Sequence, residues 1–518
     1  MPEVNVADRV ELPIHLMPRT VHVHPGLTPL AARALNHAAV AQALTAAGID
    51  HFTVRGLDDR NPVIGVRATD RSAVLATLAE LGRATAAYLA PVLPKPAVRD
   101  LLSDAADDGA WAGVADAKVL RLVWFRTDPT HSLIFGREYG CDIEFWGLGR
   151  DRQRIWAPRP NRVTRMLPAD GEPVEAPAEQ FTRLAGRPGG ATRVRTRREM
   201  TPALPDDVTF PIDVVYTWVD GTDPVWQQKR AGVTGESYHA ESASAARFLS
   251  RDELRYSLRS IHANAPWVRN VYIVTDEQTP PWLDTSRPNL RVVSHKEIFG
   301  DAGVLPVFNS HAIESQLHHI DGMAEHFLYF NDDMFIGRPL APQAFFLANG
   351  LSKFFLSQGR VPIGPITAED TPVDAAHKNN RRLLEGRFGP TSVQVFQHVP
   401  YALRRSIMTE IETEFADEYA ATMASRFRST TDLSPVSNLY HYYAFLSGRA
   451  VPGTVKYGYI QLAVPDLAAR LARALDRRDW DAFCLNDAYS TEEELESQAT
   501  ILRPFLESYF PVPSPYEK

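Results

Sequence analysis

Residues 210–226, FPIDVVYTWVDGTDPVW, open the stretch whose order of elements decides the fold. The run from Ile212 to Val219 is β-branched and aromatic, without polar alternation, which predicts a strand covered on both faces. Pro211 bounds it on one side and the acidic turn Asp220-Gly221-Thr222-Asp223 on the other. Working outward, Ser250-Arg-Asp-Glu253 reads as a capping box ahead of a helix carrying Leu254, Leu258 and Ile261. A second buried strand, NVYIVT (270–275), ends at Asp276 and Glu277, and LRVVSHKEIF (290–299) repeats the strand–helix step. Asn309 and Ser310 cap a further helix, and HFLYF (326–330) then runs straight into Asn331-Asp332-Asp333. Strand and helix in regular alternation predict an α/β fold with a mostly parallel sheet flanked by helices.

Ligands of such sheets sit beyond the carboxyl ends of the strands. Here those ends carry Asp220 and Asp223, Asp276, and Asp332 with Asp333. A cluster of this kind suits Mg²⁺ or Mn²⁺, hard cations that prefer oxygen ligands and neutralise a diphosphate. Acids at strand ends also serve as turn formers and caps, the reading favoured for Asp276. The pair Asp332-Asp333 directly follows a buried strand, where ionised carboxylates are costly unless a cation or a base uses them. No GxxxxGK[ST], GxGxxG or GxSxG motif accompanies these acids, which argues against P-loop, dinucleotide and serine-hydrolase chemistry. Phosphates would then fall to arginines: Arg255 and Arg259 on the first helix, or Arg426 and Arg428 later. Gln397-His398-Val399-Pro400 reads as the entry to a long helix through Leu403, Ile407 and Ile411. That would set His398 at a helix N-terminus, with its pKa lowered and its ring available as a base. Cys484-Leu485-Asn486-Asp487 closes another short apolar run with two oxygen-bearing side chains.

The rest of the 518 residues is less pointed. Residues 1–146 alternate short strands with Ala/Leu-rich helices and predict a smaller accessory α/β or α+β domain. Within it, Asp142 and Glu144 share a strand face, either as a solvated edge or as cation ligands. Residues 147–205 are rich in Arg, Pro and Gly with weak periodicity and read as a linker. Residues 206–518 are left as the catalytic domain. A net charge of −8 gives no general attraction to nucleic acid. Two cysteines make no disulfide framework or zinc spacing, so buried thiols are expected. No stretch reaches the ~20 apolar residues of a membrane span, and the acidic N-terminus lacks the apolar core of a secretory signal. A cytoplasmic location follows as the expectation, with peripheral membrane association and the oligomeric state left open.

Taken together, IDVVYTWVDGTDPVW, RDELRYSLRSIHANAPWVRNVYIVTDEQTPPWL, FNSHAIESQLHHI and YFNDDMFIGRPL resemble the first two blocks of the Stealth family. HVPYALRRSIMTEIETEF through RFRSTTDLSPVSNLYHYYAF is similar to the third block, and the segment from Phe483 to Lys518 to the fourth. The resemblance implies a GT-A/Rossmann-like nucleotide-sugar-binding core with C-terminal helical elements, related to the catalytic subunit of animal N-acetylglucosamine-1-phosphotransferase. It implies a UDP-sugar donor, a glycan acceptor, release of UMP and a divalent metal, in exopolysaccharide or capsule synthesis. On the matching positions it implies catalytic roles for Asp332, Asp333, His398 and Arg428. Donor or substrate contacts would come from Trp218, Asp220, Gly221, Asp223, Arg255, Arg259, Asn331 and Asn486, and metal contacts from Asp332, Asp333 and Asp487. Tyr401 departs from the pattern, standing where many members carry a second histidine. Two rival readings remain at this point: a metal-dependent glycosyltransferase releasing UDP, and a carbohydrate-binding protein without chemistry.

Overall fold

The computed structural model describes residues 9–93, 102–185, 191–233, 250–302, 304–391, 394–487 and 492–518. Residues 1–8, read above for a leader, and the Gly-rich 186–190 of the expected linker lie outside that description. Two compact units divide the chain near residue 207.

In the larger unit the elements used below are, in chain order, β1 (Ile212–Thr217), α1 (Pro224–Ala231), α2 (Glu253–Asn264), β2 (Val271–Thr275), β3 (Leu290–Ser294), α3 (Ser310–Glu314), β4 (His326–Asn331), β5 (Met334–Ile336), α4 (Pro372–Phe388), β6 (Tyr401–Arg404), α5 (Arg405–Glu414), β7 (Tyr457–Gln461) and β8 (Ala482–Asn486). The main sheet runs β3-β2-β1-β4-β6. Its first four strands are parallel and β6 is an antiparallel edge. Register levels the strand ends: Thr217 stands opposite Asn331 on one side and Val274 on the other. Val214, Val215, Ile273, Val274, Phe327 and Phe330 are fully buried, as their uninterrupted apolar pattern requires. Trp218 and Asp332 therefore leave neighbouring strands at the same edge.

A smaller sheet, β5-β8-β7, continues from that edge. β5 pairs antiparallel with β8, and the Leu485 N–H donates to the Asp333 carbonyl. On its other side β5 has no strand, and α2 satisfies it with side chains. Ser257 Oγ donates to the Met334 carbonyl, Ser260 Oγ accepts the Ile336 N–H at 3.0 Å, and Asn264 Nδ2 donates to the Ile336 carbonyl at 2.8 Å. The Asn331–Asp333 turn is held from both sides by these bonds.

Two local expectations are corrected here. The capping box does not form: α2 starts after Asp252, whose φ is +66° and whose side chain caps nothing. Glu253 instead folds back on Arg251 and turns inward. The helix expected from Pro400 begins five residues later. Tyr401–Arg404 forms an edge strand antiparallel to β4, with Leu403 and Tyr401 opposite Phe327 and Tyr329. His398 thus lies in a turn before a strand and not at the start of a helix.

The smaller unit holds a four-stranded and an eight-stranded sheet with helices Pro29–Ala46 and Arg71–Thr85. Thr28 caps the first helix and Pro29 occupies its first turn. The linker expectation for 147–205 is corrected. This stretch carries strands Arg154–Trp156, Met166–Pro168, Pro173–Pro177 and Arg193–Arg197, and it buries Ile155, Leu167, Phe181 and Met200 against Phe52 and Trp146. Some of its arginines are internal partners. Arg159 reaches Asp142 and Glu144 at 2.7 Å each, and Arg121 also grips Asp142. Those two acids are accordingly neither a solvated edge nor a cation site.

Candidate active site at the strand ends

A cavity of about 830 Å³ opens where β1, β2 and β4 end, walled by α3, α4, β7, β8 and the turn carrying His398. One end is acidic. Glu253, Asp332, Asp333 and Asp487 line it together with Arg251, which pairs with both Glu253 and Asp487. Burial, and then the charges of Glu253 and Asp333, push the Asp332 carboxyl well above its ordinary range. Burial raises Glu253 too, with Arg251 opposing. Asp333 sits at the centre. Its Oδ2 accepts a bond from the Cys484 thiol at 3.2 Å, and its Oδ1 lies 3.7 Å from His398 Nε2. Burial and the Asp333 charge keep Cys484 protonated, so it acts as a donor and not as a nucleophile.

The opposite wall is mixed. Arg428 donates to Ser310 Oγ at 2.7 Å, beside His311 and Glu314 of α3. Glu314 Oε1 accepts from the Tyr329 hydroxyl at 3.3 Å, and Thr217 meets that same hydroxyl at 2.8 Å. Burial raises the Glu314 carboxyl, with His311 and Arg428 opposing. His377 of α4 is buried, and its pKa falls to about 4. His398 Nδ1 is 3.2 Å from the Tyr401 hydroxyl, whose ring stacks on Tyr329. Trp218 lines the cavity at the end of β1, and its buried indole N–H has no hydrogen-bond partner.

The acidic end fits a hard divalent cation. Its donors are carboxylate oxygens: burial, and then the neighbouring charges, raise Asp332, and the buried Asp333 Oδ1 accepts no hydrogen bond. Asp487 is engaged by Arg251, so its place around a cation is shared with that guanidinium.

Of the residues singled out in the sequence, Trp218, Asn331, Asp332, Asp333, His398, Arg428, Asn486 and Asp487 line this one cavity. Asp220, Gly221, Asp223, Arg255 and Arg259 do not. Asp220 bonds Thr222 within its own turn, Asp223 caps α1 through the Val225 N–H, and the Gly221 carbonyl accepts from Gln227. Arg255 and Arg259 face away and hold Glu517, with Nε–Oε distances of 2.6 and 2.8 Å. Sequence reasoning passed over Glu253, Glu314, His311, His377 and Cys484 as site residues. Glu253 was hidden inside the capping-box pattern, and a histidine and a glutamate one helical turn apart on α3 were the available signal for the α3 pair.

The sequence comparisons bear on this arrangement directly. Stealth protein conserved regions 1 to 4 match residues 210–238, 247–354, 397–445 and 472–518, in order. An exopolysaccharide phosphotransferase of Streptomyces coelicolor is 52% identical over 504 residues, covering 96% of this chain and 92% of its own. The chain belongs to the Stealth family. Exopolysaccharide phosphotransferase CpsY of Mycobacterium tuberculosis is 35% identical over 513 residues, 96% of this chain and 91% of that one. Among solved structures, galactosyltransferase LgtC aligns with 56% of this chain and 96% of its own at 12% identity, with a TM-score of 0.28. The four Stealth regions contain every carboxylate of the acidic end, together with His398 and Arg428. No helix among the described residues is long and apolar enough to cross a membrane.

Proposed function

We propose that this Stealth protein transfers a sugar-1-phosphate, an N-acetylhexosamine-1-phosphate in the first instance, from a UDP-sugar to a glycan hydroxyl. A phosphodiester forms and UMP leaves. The observation that carries this reading is the convergence of buried carboxylates, Arg428 and the His398–Asp333 pair in one cavity. The family, and relatives named exopolysaccharide phosphotransferases, support it. The reaction belongs where nucleotide sugars are made, in the cytoplasm.

Phosphoryl transfer asks the protein mainly for positioning and charge stabilisation. Asp332 and Asp333, with Asp487, would hold Mg²⁺ or Mn²⁺, which when bound supplies neutralising charge to the diphosphate. Arg428 adds a donor that no proton transfer can discharge. Glu314, whose carboxyl burial pushes up against the charges of His311 and Arg428, lines the same wall as Arg428. Trp218 offers its unpaired N–H to the nucleotide. In the tautomer protonated at Nδ1, which lies 3.2 Å from the Tyr401 hydroxyl, the His398 Nε2 lone pair takes the acceptor's proton. Asp333 Oδ1, 3.7 Å from that same nitrogen, then stabilises the imidazolium by its charge. The acceptor oxygen bonds to the β-phosphorus as the bond from that phosphorus to the bridging oxygen breaks, and UMP carries that oxygen away. Tyr401 supplies the ring's second partner where many family members have a histidine.

Incubation with UDP-N-acetylglucosamine and a glycan acceptor tests the reading through the nucleotide product. UMP together with a phosphodiester-linked sugar is expected. UDP instead would mean attack at the anomeric carbon and would overturn it.

A further inference from the structure

Away from the cavity, two adjacent histidines converge on one carboxylate oxygen. His318 and His319 end the 3₁₀ turn Leu317–His319, and Glu412 lies on α5. Their Nε2 atoms are 2.6 and 3.0 Å from the same Glu412 Oε2, and the two rings cross at 62° with centroids 4.2 Å apart. One donor atom from each residue lies within 4.8 Å of the other two. His319 Nδ1 is 3.1 Å from the Ile298 carbonyl. A carbonyl only accepts, so Nδ1 carries the proton, and Nε2 is the nitrogen left for a cation. This is the outer-sphere bond that metal-ligating histidines usually make. His318 is 1% exposed and its Nδ1 has no partner, whereas the side chains of His319 and Glu412 are 39% and 30% exposed. The cluster is therefore anchored on its inner side and open on its outer side.

We propose that His318, His319 and Glu412 form a second, non-catalytic metal site that takes a borderline divalent cation, Zn²⁺ foremost. Two imidazoles and one carboxylate are a common zinc donor set, with the fourth position left to water. Tetrahedral bonds of about 2.0–2.2 Å place neighbouring donors about 3.3 Å apart. The His318 and His319 Nε2 atoms must then part from Glu412 Oε2, now at 2.6 and 3.0 Å, by about 0.7 and 0.3 Å, and the two exposed side chains have room to do so. Arg405 opposes the ion electrostatically, but its Nε is tied to the His318 carbonyl at 2.8 Å. The hard cation proposed for the cavity prefers oxygen ligands, and Asp333, His398 and Cys484 there are the rival set for a softer ion. The location gives the site a role. The histidines follow α3, which carries His311 and Glu314, and Glu412 sits on the helix after β6, downstream of His398. A bound ion would fasten the turn that follows α3 to α5, the helix that follows β6.

The test uses the full chain, stripped with a chelator and titrated with Zn²⁺ by calorimetry alongside thermal melts. One Zn²⁺ is expected to bind and raise the melting temperature. His319→Ala and Glu412→Gln should each weaken that event by at least about tenfold, while Asp333→Asn leaves it in place. Co²⁺ in the same site should give a tetrahedral spectrum without the thiolate band that Cys484 would add. Unchanged Zn²⁺ binding in His319→Ala and Glu412→Gln, or its loss in Asp333→Asn, would overturn the proposal. So would a thiolate band. None of these readings depends on transferase activity, so this proposal and the proposed reaction fail separately.

Discussion

His398 and Asp333 stand 3.7 Å apart because a turn, and not a helix, delivers the histidine to the mouth of the cavity. The ring is held by Tyr401 on one nitrogen and faced by a carboxylate on the other, so its work does not depend on a helix dipole. His398→Ala should lower kcat by about 10²–10⁴-fold with little change in KM, measured by UMP release. Arg428→Lys keeps the charge but loses the planar fork that reaches Ser310 and, in the proposed reaction, would reach a phosphate. It should recover only a small part of the activity that Arg428→Ala loses. At this scale the sequence was partly readable. A pair of acids after a buried strand cannot remain unpaired without a cost, and that alone singled out Asp332 and Asp333. Arg255 and Arg259 were misleading because spacing on a helix fixes a face but not what the face meets. Here it meets Glu517.

The element that organises the site is α2. It presents Glu253 to the cavity from its first turn. Through Ser257, Ser260 and Asn264 it also stands in for the strand that β5 lacks. Asn264→Ala leaves the buried Ile336 carbonyl without its donor and should cost about 1–3 kcal/mol in a denaturant melt. Because β5 carries the Asn331–Asp333 turn, the same change should lower kcat more than it raises KM. The parallel strands were legible, since burial on both faces writes an unbroken apolar run. The edge strand β6 was not, because four alternating residues followed by an amphipathic helix read as one longer helix. Its pairing with β4 is a tertiary contact that no local pattern records.

Across the whole molecule, the larger unit begins at Val208, close to the expected 206, but 147–205 belongs to the smaller unit and is not a linker. Arginine- and proline-rich sequence resembles a linker until its charges find buried partners such as Asp142, Glu144 and Asp207. In the larger unit, charge pairing fastens the C-terminal segment to α2. Burial would raise the Glu517 carboxyl, but hydrogen bonds from Arg259, Ser514 and Arg255 hold it down at about 2. A carboxyl lowered from about 4.5 to about 2 contributes stability above pH 4.5 and loses it as pH falls toward 2. Wild type should therefore melt above Glu517→Gln at pH 7, and the gap should close between pH 4.5 and 2 in melts taken across that range.

Asp252 carries a different kind of information. It enters α2 at a φ of +66° and caps nothing, a conformation that costs a residue with a Cβ about 1–2 kcal/mol. Its neighbours on both sides, Arg251 and Glu253, are turned to the cavity, so the start of the helix has been given over to the chemistry. Asp252→Gly removes the steric cost without touching the lining residues. It should raise stability by up to about 1 kcal/mol in a thermal melt while leaving turnover unchanged. The mouth of the site would then be a place where the enzyme can be made hardier at no loss of rate, a margin that evolution has left unclaimed and protein engineers can take up.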